Sequence, residues 1–448
     1  MRITLPEPKR FCKVFKNVTN ILLENPISGI STDSRECIDG DLYIAIKGET
    51  VDGHNFITEA QSNGAVAALI NRPNEVINDI QQLIVDDPIK CIGQVANAWR
   101  KKYNIPVIGI TGSNGKTTTK DLIKHFLESK YTVHSTKGNF NTSIGVPLTL
   151  LQMQGKHNFS IIEMGANQPG DIKTLCKIVE PTDGLITNIA PAHLEGFGSI
   201  EHVALEKSEL FTYLTNGTAY INILDEWISS FTIQAKSKVY GDSIDCDYYA
   251  SHNRESDGNI ILTINENELN IKSKNIVLAK NILAASAVAN SLGIDWNAIR
   301  ERVLTFTPTY GRGGVIKYEN ITVINDTYNA NYMSTIAAIE HLAQYPTDNG
   351  RRIFVFGDMA ELGKSSELYH QKVGKKCIEK NLDAVFTVGT QTNFTDKAVG
   401  TLRNHKHYDD KSILAKELKS FINNNDVVLF KGSRSMEMEK IIMEIFKK

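Results

Sequence analysis

The sequence predicts an α/β protein with several domains and mostly parallel sheets. Three observations support this prediction. Strand-like and helix-like segments alternate from about residue 101 onward, and a glycine-rich loop joins one such strand to the next helix. A second alternation follows a proline- and glycine-rich break at residues 307–314. The length of 448 residues also exceeds the roughly 250–300 residues at which a single core stops growing.

The composition is that of an ordinary globular protein and does not favour a nucleic-acid or membrane-surface partner. Hydrophobic residues make up 41% of the chain, and 49 basic residues are balanced by 51 acidic ones. Six widely spaced cysteines form no C-x-x-C pair, and the N-terminus lacks the apolar segment of a signal peptide. No apolar run approaches the ~18 residues of a membrane helix. We therefore expect a cytoplasmic protein.

Residues 1–100 predict a small α/β module. Alternating apolar residues at 42–46 indicate a strand, and the segment 56–68 fits a helix. Residues 33–35 and 52–53 have the composition of turns. Both a turn and a functional contact remain open for these two short segments.

The most informative stretch is the glycine-rich loop at residues 109–119, GITGSNGKTTT, between an apolar strand and a helix-like segment. Its glycines let the backbone bend around an anion, Lys116 can reach the β- and γ-phosphates of a nucleotide, and Thr117 can bind Mg²⁺. The generic P-loop pattern would require glycine in place of Ile110, whereas this chain has glycines one residue before it and two after. A turn without function is the alternative, and the flanking strand and helix disfavour it.

The alternation after this loop predicts a doubly wound sheet, in which ligands bind beyond the carboxyl ends of the strands. Three polar groups lie near predicted strand ends or just past them: Glu163, His193 and, on the following helix, Lys207. A helix cap, a turn residue and a solvated lysine are the respective structural alternatives. The predicted strands here are 131–135, 159–164 and 184–189, and the predicted helices are a stretch ending at 151, 171–179 and 199–213.

The last part of the chain predicts a second doubly wound domain. It follows a polar, strand-like segment at about 245–275 and an apolar helix at 282–292. Four apolar strands are separated there by helix-like stretches. These predicted strands are 321–324, 353–356, 384–388 and 427–430.

These motifs resemble the Mur ligase family across nearly the whole chain. Besides the glycine-rich loop, the central block contains GNFNT at 138–142, EMGAN at 163–167, HLEGFG at 193–198 and Lys207. The C-terminal third adds NDTYNAN at 325–331, GDMAELG at 357–363 and KGSR at 431–434. The chain is most similar to the members that join D-alanyl-D-alanine to UDP-N-acetylmuramoyl-tripeptide, because it carries the YNAN sequence and lacks a D-N-P-R-like segment.

The resemblance implies a three-domain Mur ligase architecture, with a central P-loop parallel-sheet ATPase domain and a C-terminal domain similar to a dinucleotide-binding fold. Residues 1–100 would bind the UDP-linked substrate, residues 101–307 would bind ATP, and residues 308–448 would close over ATP and bind D-alanyl-D-alanine. ATP would phosphorylate the peptide carboxylate, and the dipeptide amine would attack the acyl phosphate, in peptidoglycan precursor synthesis. We expect a monomer that uses these small-molecule substrates and has neither a nucleic-acid partner nor a membrane-inserted segment.

The resemblance also implies roles for individual residues. The catalytic residues would be Lys116, Glu163, His193 and Lys207. Two Mg²⁺ ions would be held by Thr117, Glu163, His193 and Lys207, the last as a carbamate formed with CO₂. ATP would be bound by Gly112, Ser113, Asn114, Gly115, Lys116, Thr117, Thr118, Asn281, Arg312 and Asp326. The other substrates would be bound by Ser34, Arg35, Asn141, Thr142, Asn329 and Ser433.

The chain departs from the family pattern at two places. The adenine-contacting sequence H-N-x-x-N-A reads KNILAA here, so that only Asn281 matches, with Lys280 and Ala284 at the other positions. Tyr332 stands where a proline usually follows the YNAN sequence. The first departure leaves Asn281 as the one matching residue of the adenine contact, whereas the second alters a loop and not its ligands.

Two other functions remain open from the sequence. One is a related ligase of the same fold, of the diamino-acid-adding or folylpolyglutamate type, although the segments at 33–35 and 52–54 argue against a folate substrate. The other is a non-catalytic ATP-binding module, which would not need Glu163, His193 and Lys207 together.

Overall fold

A computed structural model describes residues 1–48, 50–73, 79–347 and 349–446. These residues form three sheets of five, nine and six strands, each with its own helices, which define an N-terminal, a central and a C-terminal domain. The predicted α/β fold with mostly parallel sheets is therefore confirmed. In the described part of the chain, no helix is both long and apolar enough to cross a membrane.

The N-terminal sheet is parallel except at one edge, where its first strand runs antiparallel to the second. The predicted helix over 56–68 is confirmed only in its first half, because the helix ends at Ser62 and a strand begins at Ala65. Gly64 has φ +107°, and a Cβ on it would lie 2.5 Å from the backbone nitrogen of Asp39, so the chain turns there. The elements are β1 (Arg2–Thr4), α1 (Pro8–Thr19), β2 (Gly29–Ser31), β3 (Asp41–Ile44), α2 (Ile57–Ser62), β4 (Ala65–Ile70), β5 (Gln81–Ile84) and α3 (Pro88–Arg100).

The central domain begins with β6 (Val107–Thr111), α4 (Lys116–Leu127), β7 (Val133–Ser135), α5 (Gly145–Leu150), β8 (Phe159–Glu163), α6 (Asp171–Val179), β9 (Asp183–Ile186), α7 (Leu194–Phe197) and α8 (Ile200–Tyr213). It continues with β10 (Thr218–Asn222), α9 (Glu226–Ser229), β11 (Lys236–Gly241), β12 (Tyr248–Arg254), β13 (Ile260–Ile264), β14 (Asn267–Ile271), α10 (Ile276–Ser291) and α11 (Trp296–Thr305). The sheet order is β14-β13-β12-β11-β10-β9-β6-β8-β7, with antiparallel pairing only between β12, β13 and β14 among the described residues.

The C-terminal sheet has the order β15-β16-β20-β17-β18-β19, and β15 alone is antiparallel to its neighbour in the part of the chain that the structure describes. All four predicted strands of this domain are confirmed as β16, β17, β18 and β20. The elements are β15 (Gly314–Tyr318), β16 (Ile321–Asp326), α12 (Tyr332–Gln344), β17 (Arg352–Gly357), α13 (Ser366–Glu379), β18 (Ala384–Val388), α14 (Asn393–Ala398), β19 (His405–Tyr408), α15 (Lys411–Phe421), β20 (Val427–Lys431) and α16 (Glu439–Phe446).

The three sheets define three domains, but the hydrophobic cores group the first two domains together. One continuous core contains buried residues of both the N-terminal and the central domain, and α3 lies within it, with Trp99 fully buried. The C-terminal sheet has its own cores, one on each face. The first two domains are thus packed as one apolar body, whereas the C-terminal domain is a second one.

Candidate active site

A cavity of about 1060 Å³ lies between the central and C-terminal domains. The central domain contributes residues that follow β6, β8 and β9, and the C-terminal domain contributes residues that follow β16 and β20. The carboxyl ends of parallel strands from two sheets therefore face one another, which is where open α/β sheets bind ligands.

The loop between β6 and α4 can form only with glycine at two positions. Gly112 has φ +142°, and a Cβ on it would lie 2.0 Å from Thr187 Oγ1. Gly115 has φ +78°, and a Cβ on it would lie 2.7 Å from Asn281 Oδ1. At these two positions the loop approaches its neighbours too closely for a side chain, and the first N–H groups of α4 have no partner within the helix, so they can face an anion.

The segment after β9 holds this loop in place. Asn188 accepts hydrogen bonds from the backbone N–H groups of Ser113 (2.9 Å, carbonyl oxygen) and Asn114 (3.0 Å, Oδ1). The Thr187 hydroxyl donates to the Asn114 carbonyl oxygen at 2.6 Å, and Ser113 Oγ donates to the Ala190 carbonyl oxygen at 3.0 Å. Sequence reasoning missed Thr187 and Asn188, although polar residues directly after a buried strand were a signal for them.

Lys116 begins α4 and folds back over the loop. Its Nζ donates to the Gly112 carbonyl oxygen at 2.6 Å. Burial lowers the pKa of Lys116, the negative charge of Glu163 opposes this effect, and the Arg312 guanidinium adds to it. The ammonium group thus lies in the loop where it could exchange a carbonyl partner for a phosphate.

Glu163 ends β8 with one carboxylate oxygen unpaired. The side chain is 2% exposed, and its Oε1 accepts a hydrogen bond from Asn141 Nδ2 at 2.9 Å. Its Oε2 is buried and has no hydrogen-bond partner. A buried carboxylate oxygen needs a donor or a cation, so this atom fits a Mg²⁺ ligand. No three His, Cys, Asp or Glu side chains of the described residues form a metal site by themselves, so other ligand types would have to complete one.

His193 lies just before α7 and contacts the C-terminal domain. Its backbone has φ +52°, and its Nδ1 lies 2.5 Å from Oε2 of Glu361. Contact with the imidazole lowers the pKa of the Glu361 carboxyl group. Sequence reasoning noticed the motif that contains Glu361 but gave that residue no role.

Lys207 is buried on α8, so the alternative of a solvated lysine is excluded. Its side chain is 2% exposed, and within the described residues it makes no hydrogen bond or ion pair. Burial lowers its pKa to about 7, the charge of Lys116 adds to the effect, and Glu206 opposes it. The Glu206 carboxylate is engaged elsewhere, because it accepts the backbone N–H groups of Gly170 and Ile172 at the start of α6.

Two C-terminal side chains touch the phosphate loop directly. Arg312 Nη2 donates to Thr117 Oγ1 at 3.2 Å, and its guanidinium carbon lies 3.6 Å from the centre of the Tyr328 ring. Asn331 Nδ2 donates to Asn114 Oδ1 at 2.7 Å. The C-terminal domain is therefore docked on the loop in this structure.

The other predicted C-terminal residues cluster around Lys431. Its Nζ donates to Asp326 Oδ2 at 2.5 Å and to the Asn329 carbonyl oxygen at 3.0 Å. Asp326 and Asn329 line the cavity, whereas Ser433 lies behind it, where its Oγ accepts the Ala360 backbone N–H at 2.7 Å. The structure thus brings two of these predicted residues to the cavity and uses Ser433 to anchor a loop beside it.

The predicted substrate residues of the first two domains separate into two places. Asn141 and Thr142 line the cavity, together with Thr118 and Asn281. Ser34 and Arg35 do not, because they form a capped turn in the N-terminal domain, where Asp33 pairs with the Arg35 guanidinium at 2.7 Å.

Three family models match successive parts of the chain: "Mur ligase family, catalytic domain" at residues 26–108, "Mur ligase middle domain" at 110–289 and "Mur ligase, glutamate ligase domain" at 311–434. Because these matches cover well over half of its length, the chain belongs to the Mur ligase family.

Curated relatives match nearly the whole chain and are named UDP-N-acetylmuramoyl-tripeptide–D-alanyl-D-alanine ligase. The Haemophilus influenzae protein is 36% identical over 94% of this chain and 93% of its own length. The Escherichia coli protein is 35% identical over 93% of both chains, and the Bacillus subtilis protein is 34% identical over 98% of both.

Solved structures of similar proteins have the same fold. A crystal structure of MurF from Acinetobacter baumannii has a TM-score of 0.86, with 29% identity over 98% of both chains. A structure of the MurF ligase from Thermotoga maritima in complex with ADP has a TM-score of 0.81, with 28% identity over 93% of this chain and 97% of that one.

Proposed function

We propose that this chain is an ATP-dependent ligase that joins D-alanyl-D-alanine to UDP-N-acetylmuramoyl-tripeptide in peptidoglycan precursor synthesis. The observation that carries the proposal is that one cavity faces both the phosphate loop of the central domain and residues Arg312, Asp326 and Asn329 of the C-terminal domain. The relatives named for this reaction cover 93–98% of the chain, which supports the same substrates here.

The reaction requires activation of a carboxylate. A carboxylate resists attack by an amine because it is negatively charged and oxide is a poor leaving group. Transfer of the γ-phosphoryl group of ATP to a carboxylate oxygen gives an acyl phosphate and ADP. The dipeptide amine then attacks the acyl carbon, phosphate leaves with the electrons of the carbon–oxygen bond, and the nitrogen loses a proton. Lys116, Arg312 and the N–H groups of the loop would position the phosphates and offset their charge.

The residues around the loop fit the Mg²⁺ that such a reaction uses. We propose that Thr117 and Glu163 provide oxygen ligands and His193 a nitrogen ligand, in a site for two ions that Lys207 completes. The unpaired, buried Glu163 Oε2 supports this assignment. When bound, Mg²⁺ would neutralise phosphate charge.

We propose that Lys207 carries a carbamate. The ammonium group would first lose a proton; the neutral amine nitrogen would then bond to the carbon of CO₂ and lose a second proton, so that a cation becomes a carbamate anion. Burial without an ion-pair partner supports this reaction, because it disfavours the ammonium form.

Chemical rescue tests the carbamate. Lys207→Ala should abolish turnover, and added formate or acetate should partly restore it, because a small carboxylate can occupy the vacated space. Lys173→Ala, which removes an exposed lysine from α6, is the control. Full activity of Lys207→Ala would contradict the assignment.

We propose domain boundaries at 1–100, 101–307 and 308–448. Ser34, Arg35, Asn141 and Thr142 would lie along the UDP-linked substrate, Asn329 and Ser433 beside the dipeptide, and Asn281 beside adenine. The side chains of Asn141, Thr142, Asn281 and Asn329 line the cavity, which supports their part of this assignment. We further propose a cytoplasmic monomer.

Phosphate release from ATP tests the proposed reaction. The purified protein is assayed with Mg²⁺, UDP-N-acetylmuramoyl-tripeptide and D-alanyl-D-alanine, and each component is omitted in turn. Release should require both substrates and should yield the UDP-linked pentapeptide. Turnover with a different acid and amine would contradict the substrate assignment, and turnover indifferent to both would contradict ligase activity.

A further inference from the structure

We infer that Glu361 of the C-terminal domain is a positioning residue for the His193 imidazole, so that docking of this domain completes the metal site. The inference rests on the proposed function, in which His193 is a Mg²⁺ ligand. Glu361 lies in the loop between β17 and α13, and His193 lies in the loop before α7 of the central domain. The two residues therefore belong to different apolar bodies of the molecule.

The contact between the two loops fixes the carboxylate against the ring. Glu361 Oε2 lies 2.5 Å from His193 Nδ1, a buried atom that has no aligned hydrogen bond, so the contact is one of charge and proximity. The backbone N–H of Glu195, two residues after His193, donates to the Glu361 carbonyl oxygen at 3.1 Å. The side chain and the main chain of Glu361 thus both contact the segment 193–195 of the central domain.

His193 and Glu361 both have a left-handed backbone conformation, which residues other than glycine adopt rarely. The φ angle is +52° at His193 and +62° at Glu361. Such strain persists only where the surroundings impose it, and it concentrates at functional sites. Here, the N–H groups of Gly196 and Phe197 both bond to the His193 carbonyl oxygen at 3.0 Å.

The loop that carries Glu361 is anchored within its own domain. The Met359 backbone N–H donates to His370 Nε2 at 3.1 Å, and the Ala360 backbone N–H donates to Ser433 Oγ at 2.7 Å. His370 is fully buried and Ser433 is 4% exposed, whereas the Glu361 side chain itself is half-exposed. The loop backbone is therefore anchored on buried groups, and the contact with His193 places the carboxylate.

The chemistry of imidazole gives this contact its function. A carboxylate beside Nδ1 favours the tautomer with hydrogen on Nδ1, which leaves the Nε2 lone pair free for a metal. Because the carboxylate comes from the other domain, the ring is oriented only when the domains are docked. Phosphoryl transfer would then await closure over the substrates, which protects ATP from premature hydrolysis.

Metal affinity without turnover tests the inference. Mn²⁺ binding is followed by electron paramagnetic resonance in the presence of ADP, for the unaltered protein, Glu361→Gln, Glu361→Asp and His193→Ala. Glu361→Gln should weaken Mn²⁺ binding about 10- to 100-fold, the usual effect of removing a partner of a metal ligand. The Mn²⁺ affinity of Glu361→Asp should lie between those of the unaltered protein and Glu361→Gln, because the shorter side chain keeps the charge but does not reach the imidazole as closely. Glu367→Gln, at an exposed position of α13, is the control.

Steady-state kinetics separate positioning from simple adhesion between the domains. Glu361→Gln should lower kcat, and high Mg²⁺ should restore it. Asn331→Asp keeps an oxygen that can cap α12 but loses the donor to Asn114, another contact between the domains. It should raise the KM for the dipeptide without recovery by Mg²⁺.

The outcomes distinguish failure of the inference from failure of the proposed function. If His193→Ala weakens Mn²⁺ binding and Glu361→Gln does not, the inference is overturned and the metal role of His193 stands. If neither variant weakens it, both are overturned, whereas ligation activity is still decided by the phosphate-release assay. If Glu361→Gln behaves as Asn331→Asp does, Glu361 merely joins the domains and the inference is also overturned.

Discussion

The conformation of the phosphate loop depends on glycine at Gly112. Gly112→Ala should destroy nucleotide binding, because its Cβ would lie 2.0 Å from Thr187 Oγ1 at a φ of +142°. We expect a decrease of about 1–3 kcal/mol in the free energy of unfolding. Titration calorimetry with ADP and urea unfolding check the two effects. Gly155→Ala is the matched control, since its Cβ would have no neighbour within 4 Å, and unchanged ADP affinity in Gly112→Ala would contradict the prediction.

The charge of Lys116 at the phosphate loop should affect turnover more than the charge of another lysine on α4. Lys116→Ala should lower kcat about 10²–10³-fold, the usual cost of losing one electrostatic contact in a transition state. Lys124→Ala removes another lysine of α4, which pairs with Glu128 at 3.7 Å, and should change kcat little. Steady-state phosphate release measures both, and near-normal turnover in Lys116→Ala would disprove the assigned role.

The buried amine of Lys207 should make stability depend on pH. Its pKa is lowered to about 7 in the folded protein, against about 10.4 for an unfolded lysine. Between these values the unfolded chain binds more protons, so stability rises as pH increases from about 7 to 10. Lys207→Met should remove that rise. Urea unfolding at pH 7.5 and 9.5 in CO₂-free buffer measures it, with Lys173→Met as control, and a parallel pH response in Lys207→Met would contradict the prediction.

At the scale of secondary structure, a carboxylate on one helix caps another. Glu206 of α8 is 5% exposed and accepts the N–H groups of Gly170 at 2.7 Å and Ile172 at 2.6 Å. Glu206→Ala should therefore lower the free energy of unfolding by about 1–2 kcal/mol, the usual value of a cap. Glu209→Ala serves as the control in chemical denaturation, because Glu209 lies on the same helix and is less buried than Glu206. Equal stability of the two variants would show that the cap contributes nothing.

Apolar strands at the sheet centres were predictable, whereas most polar strands were not, although the edge strand β7 was also located. β8, β18 and β20 are fully buried, β17 is buried except at Arg352, and the sequence pattern located all four. Short or polar strands such as β10, β11, β15 and β19 have no such run and were missed. α10 also begins at Ile276, before the predicted 282, because the side chain of Asn275 caps it.

The candidate site was predictable only where its residues follow one another in the chain. The phosphate loop is local, so strand, glycines and lysine identified it together. Thr187 and Asn188 act through contacts more than 70 residues away in sequence, and Glu361 acts across a domain boundary. No local pattern encodes such contacts, which depend on how the sheets are assembled. The family resemblance placed the other residues, and their roles remain proposals.

At the scale of the whole molecule, Arg312 should couple nucleotide binding to the position of the C-terminal domain. It lies between the Tyr328 ring and Thr117 of the loop. Arg312→Ala should weaken ADP binding about tenfold and remove any compaction that ADP causes in small-angle X-ray scattering. Arg300→Ala, at a position on α11 away from the cavity, is the control. Compaction identical to that of the unaltered protein would contradict this coupling.

The shared core of the first two domains determines where the chain can be divided. A cut near residue 100 would split an apolar body that includes α3, and both fragments would expose surface that aggregates. A cut near residue 310 leaves every major core whole. Limited digestion and split-gene expression should therefore yield two pieces, not three. Any rigid-body rotation between domains would then have to occur near residue 310, with the N-terminal and central domains moving as one unit.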